Sequence, residues 1–272
     1  MQKLVFLDVD GTLINSSQQA PRSAVEACQR AAQNGHKLFM CTGRSYPEVY
    51  PWLWDLGISG LVGANGTYVT CEDEVIFDER ISDEDIIEIS NFINSVGGYW
   101  IWQGPDRIMP SKEFLDSYSG AGADRIAGDW TPYLHQVAPY LKTGTPTSCG
   151  KCTFTLPPTA SASLEDVIEH FGDRFTIVAG SVTAEGTEGG ELVPANISKA
   201  SGVRQVVMHL DIPLEQTIGI GDSANDGPMM KTVGTSIAMG NAIDEIKEIS
   251  KWTTTSVDEN GIKNAFEYLK LI

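Results

Sequence analysis

The chain has 272 residues, 42% hydrophobic and 20% charged, a balance that fits a folded globular protein of one large or two smaller domains and excludes a disordered one. Its 36 acidic against 19 basic residues give a formal net charge of -17, a field that opposes nucleic acid, anionic membrane surfaces and any anionic substrate without a local cation. No apolar run reaches the length of a membrane span, the first is cut by Asp8 before it could act as a secretion signal, and the five scattered cysteines read as free thiols of a cytoplasmic protein.

The first part of the chain alternates strand and helix. The run KLVFLDV (residues 3–9) has the continuous apolar character of a buried parallel strand. A helix is expected from Pro21 to Gly35, with Val25, Cys28, Ala31 and Ala32 at helical spacing. HKLFMCTGRS (36–45) reads as a second buried strand ending at Thr42 and Gly43. A further helix is expected from Ser45 and Pro47 through Tyr50 and Trp54 to Gly57, then a third strand in GLVGANG (60–66). This order predicts a doubly wound parallel sheet.

After Gly66 the pattern changes. TYVTCEDEVIFDERI (67–81) alternates around an acidic turn and predicts a hairpin. Ser82, with Asp85 three residues on, marks a helix start, and YWIWQG (99–104) a strand. Residues 104–150 carry no clear pattern, KCTFTL (151–156) reads as a strand, SLEDVIEHFGD (163–173) as a helix and RFTIVAGSVTAEG (174–186) as one or two strands. The mixture predicts an inserted α+β domain over residues 82–188, flanked by a core of residues 1–81 and 189–272. The βα alternation returns with a helix in NISKASGVRQVVMHLDI (196–212), a strand, loop and helix in QTIGIGDSANDGPMMKTV (216–233), short strands at 235–242 and 252–256, and a last helix.

Side chains two apart on a strand share a face, so Asp8 and Asp10 start on one side, at the strand's carboxyl end where open α/β sheets bind ligands. Two carboxylates so close are costly without a cation or a shared proton, and a hard divalent ion such as Mg²⁺ would relieve them. The plain alternative is an acidic turn around Gly11. Other strand ends tip the balance: Thr42 and Arg44 follow one, Asp222, Asn225 and Asp226 follow another, and Lys199 heads a helix. Two acids, a hydroxyl, a lysine and a second acidic loop at one sheet edge are suited to phosphoryl transfer.

These motifs, DVDGT (8–12), TGR (42–44), Lys199 in NISKASG and GDSAND (221–226), resemble the haloacid dehalogenase superfamily of phosphatases. NG at 65–66, ELVP at 191–194 and AMGNA at 238–242 are similar to its Cof-type branch (type IIB), and the resemblance spans nearly the whole chain. It implies a Rossmann-like core with an inserted C2-type cap that closes over the site and sets specificity. It implies that Asp8 is the nucleophile forming an aspartyl-phosphate and Asp10 the acid and base, with Thr42 and Lys199 holding phosphoryl oxygens. Mg²⁺ would be bound by Asp8, the backbone carbonyl of Asp10 and Asp222, with Asn225 and Asp226 holding the loop or its waters. Gly43, Arg44 and Asn225 would meet the substrate, although Arg44 could equally pair with an acidic neighbour. The expected activity is Mg²⁺-dependent hydrolysis of a small phosphorylated metabolite, such as a sugar phosphate, by a monomer or homodimer. A phosphomutase of the same superfamily and a phospho-acceptor signalling domain are the alternatives.

Two further features need weighing. Cys149 and Cys152 form CGKC, but no second Cys or His pair at zinc spacing accompanies them, so a place in a strand is expected. Trp100 and Trp102 share a strand face and are expected to pack against helices rather than stack on a ligand.

Overall fold

A computed structural model describes residues 2–118, 131–180 and 186–272. They form two compact units, one of Met1–Arg44, Val49–Asp78 and Ser198–Ile272, the other of Ser45–Glu48 and Glu79–Ile197.

The first unit begins with β1 (Leu4–Leu7), whose four side chains are all buried, as a central parallel strand with helices on both faces requires. Helix α1 (Arg22–Gln33) follows Pro21 and ends before Gly35, whose φ is +86°. Its buried face is Ala24, Ala27, Cys28 and Ala31. After β2 (Lys37–Cys41) the expected helix resolves into two 3₁₀ turns, Tyr46–Glu48 and Pro51–Leu56. Pro47 and Pro51 supply no amide hydrogen, which breaks the α-helical ladder. Then come β3 (Ile58–Gly63) and the predicted hairpin of β4 (Tyr68–Cys71) and β5 (Glu74–Asp78), which extends the same sheet in antiparallel fashion.

The second unit contains α2 (Asp83–Ser95), β6 (Tyr99–Gln103), β7 (Ile108–Pro110), α3 (Lys112–Tyr118), α4 (Thr131–Val137), β8 (Lys151–Leu156), α5 (Leu164–Phe171), β9 (Phe175–Ala179) and β10 (Glu188–Pro194). Ser82 caps α2 by accepting from the Asp85 amide, as its spacing predicts. The strands form an antiparallel sheet in the order β7-β6-β8-β10-β9. Trp100 and Trp102 lie on the face that packs with Ile86, Ile89 and Ile93 of α2. Their indole N–H groups donate to Asn94 and Ser90, at 2.9 and 2.8 Å. Each indole takes roughly 150–250 Å² out of water, about 4–6 kcal/mol at ~25 cal/mol per Å² before side-chain entropy. Cys149 and Cys152 are in the same core and unoxidised, and burial pushes the Cys149 thiol up to about 12 and Cys152 well above its usual range. Such thiols are poor nucleophiles and poor metal ligands. Residues 181–185, within the stretch read as one or two strands, lie outside the described residues.

The sequence places the return to the core at residue 189, whereas β10 pairs with β8 and β9 in the second sheet and the first unit resumes at Ser198. There α6 (Lys199–Leu210), β11 (Thr217–Gly221), α7 (Gly227–Thr232), β12 (Thr235–Ala238), α8 (Asp244–Ile249), β13 (Trp252–Thr253) and α9 (Gly261–Tyr268) complete the alternation. The sheet of the first unit runs β13-β12-β11-β1-β2-β3-β4-β5 and is parallel from β13 to β3. No helix of the described residues is long and apolar enough to cross a membrane.

Candidate active site

The strand order sets adjacent carboxyl ends beside each other. Because β1 pairs in parallel with β11, the Asp8 amide still donates to Ile220, and Asp8 and Asp222 emerge from neighbouring strand ends. The Val9 carbonyl then accepts from Leu13 and Ile14 and turns the chain back on itself. Gly11 occupies this turn at φ +81°, and a Cβ there would lie 2.4 Å from Oδ2 of Asp222. A side chain is therefore excluded twice, by backbone conformation and by space. The Thr12 hydroxyl donates to Oδ1 of Asp222 at 2.8 Å.

On the other side of β1, β2 ends at Thr42, which is 1% exposed. Its carbonyl accepts the Asn65 amide, and its Oγ1 accepts the Arg44 amide at 3.1 Å. Gly43 lies between these two residues in the loop.

Lys199, the first residue of α6, is 0% exposed. A cation at a helix N-terminus works against the helix dipole, so its partners must repay both that and its burial. Its Nζ donates to Oδ1 of Asp8 and to Oδ1 of Asp226, each at 2.6 Å. Gly66 lets the helix come this close: at φ +101°, its Cβ would lie 2.2 Å from the Ser198 carbonyl. Oδ2 of Asp226 accepts the amides of Asp222 and Ser223, at 2.9 and 3.0 Å. Asn225 donates to the Asn65 side chain at 3.2 Å.

Asp8, Asp222 and Asp226 thus offer oxygens within 4.8 Å of one another. Burial above all, with Asp226 and Asp222 adding repulsion, holds the Asp8 carboxyl well above its usual range, against the pull of Lys199. Burial and then Asp226 push Asp222 up to about 7. The Lys199 ammonium is raised because the attraction of Asp226 and Asp8 outweighs its desolvation. Three carboxylates against one ammonium leave a surplus of negative charge, and the donors are all hard oxygens, so the residues present fit a divalent ion such as Mg²⁺. Both oxygens of Asp226 are already committed to Lys199 and the loop amides, which suits it to holding the loop and leaves Asp8 and Asp222 as the better placed acids.

Asp10 takes a different place from Asp8. Its carboxylate is gripped by Arg44, with Nε to Oδ2 at 2.8 Å and Nη2 to Oδ1 at 2.7 Å. Arg44 also donates to Gln18 at 2.6 Å and sits over the Tyr50 ring, 4.8 Å from its centroid. Desolvation would lower the guanidinium pKa, but Asp10 overcomes this and raises it. The structure therefore brings Asp8, Asp222 and Lys199 together, with Asp226 in the same cluster, sets Thr42 and Gly43 on the loop after β2, and engages Arg44 with the second acid of the DVDGT motif. The sequence assigns no site role to Gln18 or Tyr50, and Thr12 and Asn65 enter there only as parts of DVDGT and of NG at 65–66. Thr12 is marked by its place in DVDGT, whereas nothing local marks Gln18.

Residues 5–266 match the family described as haloacid dehalogenase-like hydrolase. The chain belongs to this family. The hydrolase is similar to YkrA of Bacillus subtilis (strain 168), 29% identical over 99% of this chain and 98% of that protein. It is also similar to the HMP-PP phosphatase of Yersinia enterocolitica, 26% identical over 91% of this chain and 87% of that protein. Among solved structures, the HAD subclass IIB sugar phosphatase BT4131 superposes with a TM-score of 0.80 at 24% identity, over 99% of this chain and 100% of the other. That likeness supports the fold, an α/β core with an inserted cap. The hydrolase is of the Cof-type branch and is a phosphatase, an enzyme acting on phosphoric monoesters.

Proposed function

We propose that this phosphatase acts on a small phosphorylated metabolite, most simply a sugar phosphate, in a Mg²⁺-dependent reaction through an aspartyl-phosphate on Asp8. The observation that carries the reading is the buried Lys199 bridging Asp8 and Asp226 beside Asp222. Mg²⁺ would be held by Asp8, the backbone carbonyl of Asp10 and Asp222, and would supply positive charge to the phosphoryl oxygens.

The residues of the chain divide the work. Asp8 attacks phosphorus, and Lys199, with Thr42, lowers the cost of bringing an anion to a carboxylate. As the bond from phosphorus to the alcohol oxygen breaks, Asp10 gives its proton to that oxygen. Asp10 then takes a proton from the water that cleaves the acyl-phosphate and restores Asp8. Asn225 and Asp226 keep the 222–226 loop in place, and Gly43 and Arg44 form the rim after β2. Substrate choice falls to the inserted unit, Glu79–Ile197; a small phosphorylated metabolite is in keeping with relatives named for such substrates. A cytoplasmic location suits the buried, reduced cysteines.

The test is steady-state phosphate release from 4-nitrophenyl phosphate. Asp8→Asn abolishes turnover while circular dichroism stays that of the wild type; retained turnover would remove Asp8 as nucleophile. Steady release without an added bisphosphate separates this reaction from that of a mutase.

A further inference from the structure

We propose that Glu48 is a positioning residue for the reaction: held inside the second unit, it fixes the Arg44–Ser45 peptide and, through Arg44, the aim of Asp10. This inference rests on the acid role of Asp10 proposed above.

The segment Ser45–Glu48 is assigned to the second unit, although residues on both sides of it belong to the first. Glu48 is 3% exposed, and a carboxylate buried this deeply must be well supplied with donors. Its Oε2 accepts the Ser45 amide at 2.7 Å and the Ser45 hydroxyl at 2.6 Å. Its Oε1 accepts the Tyr133 hydroxyl at 2.6 Å, and Gln103 donates to both oxygens at 3.1 and 3.3 Å. The Gln103 amide is itself oriented, because Thr153 on the neighbouring strand donates to its oxygen at 3.0 Å. Gln136 fastens the same segment by donating to the Pro47 carbonyl at 3.0 Å.

The amide received by Glu48 belongs to the peptide that starts at Arg44. The carbonyl of that peptide accepts the Ala64 amide at 2.7 Å. The peptide is thus pinned at both polar atoms, one by β3's following turn and one by Glu48. With Arg44 fixed at its backbone, its guanidinium holds the two Asp10 oxygens in one orientation. Gln103, Tyr133 and Ser45 all donate to Glu48, and Ser45 is joined to Arg44 by the pinned peptide. A capping acid would account for the two bonds from Ser45, whereas those from Gln103 and Tyr133 go beyond what a cap requires.

A misaimed acid harms a reaction in proportion to the basicity of the leaving group, because a weakly basic leaving group departs without a proton. Phenyl phosphate and 4-nitrophenyl phosphate differ little in shape and much in that respect. The assay is kcat/KM on both, which reports phosphoryl transfer to Asp8 and not the later hydrolysis. Glu48→Gln and Tyr133→Phe lower kcat/KM on phenyl phosphate by about tenfold or more and on 4-nitrophenyl phosphate by less than about threefold. Equal losses on both substrates, or no loss on either, would overturn the proposal. Should Glu48→Gln fail to fold, Tyr133→Phe, which keeps the ring, decides alone. Asp10→Asn in the same assay separates the two readings. If it does not discriminate between the substrates, the acid role is wrong; if it does and the Glu48 and Tyr133 variants do not, only the positioning role is wrong.

Discussion

Replacing Lys199 with Met tests the charge arrangement most directly. The ammonium is fully buried and bonded to two carboxylates at 2.6 Å, and Met keeps most of its length while removing its charge. Removing one partner of a buried pair costs about 3–5 kcal/mol because it strands the other. At about 2–4 °C per kcal/mol for a unit of this size, Tm falls by roughly 6–20 °C. The loss depends on pH, and its sign follows from the acids that remain. Asp8 and Asp222 already have raised carboxyls, and losing Lys199 raises Asp8 further. The folded protein then holds more protons than the unfolded chain between the ordinary carboxylate range and the raised folded values. Stability is lost as pH rises through the folded values, and the gap between variant and wild type widens in the same direction. Thermal unfolding followed by circular dichroism in chelator, at about pH 5.5 and about pH 8, measures both gaps. A variant within about 2 °C of wild type at the higher pH, or a gap that narrows with rising pH, would refute the reasoning.

Two other expectations concern the same cluster. Because Asp222 is pushed up to about 7, a divalent ion must displace a proton there at lower pH. The apparent Mg²⁺ affinity, read from activity or calorimetry, therefore weakens as pH falls below that value, by about tenfold per pH unit for each proton the ion must displace. Gly11→Ala forces a Cβ against Oδ2 of Asp222 at a φ of +81°. It costs about 1–3 kcal/mol of stability in urea unfolding and raises the Mg²⁺ concentration for half-maximal turnover; unchanged values would mean the turn relaxes freely.

Much of this site can be read in the sequence because its chemistry sits at strand ends. Apolar runs that stop at Asp8, Thr42 and Asp222 declare where parallel strands finish, and parallel strands finish on the same edge. Lys199 is legible for another reason: a lone lysine at a helix start, where the dipole disfavours it, has to be held by acids. The pairing of Arg44 with Asp10 is not legible, since both substrate and acid were open to it and only the fold of the 10–18 loop decides. The 3₁₀ turns after Arg44 were masked by apolar spacing that suits a helix, which Pro47 and Pro51 prevent. The assignment of Glu48 to the other unit could not be seen at all. It depends on contacts with Gln103 and Tyr133, more than fifty residues away in the chain. The extent of the inserted domain blurred at β10 for a related reason: a strand does not announce which sheet it joins.

The way the larger sheet ends also bears on assembly. An open sheet has two rims, and an unpaired strand is a template on which another copy can add. Here β13 is only two residues long, too brief to guide such pairing. At the opposite rim, β5 runs between Glu74 and Asp78, with Asp73 beside it. An incoming copy would bring the same acids against these, so the rim repels its own kind. Part of the chain's large negative charge is therefore spent where an exposed strand would otherwise invite self-association.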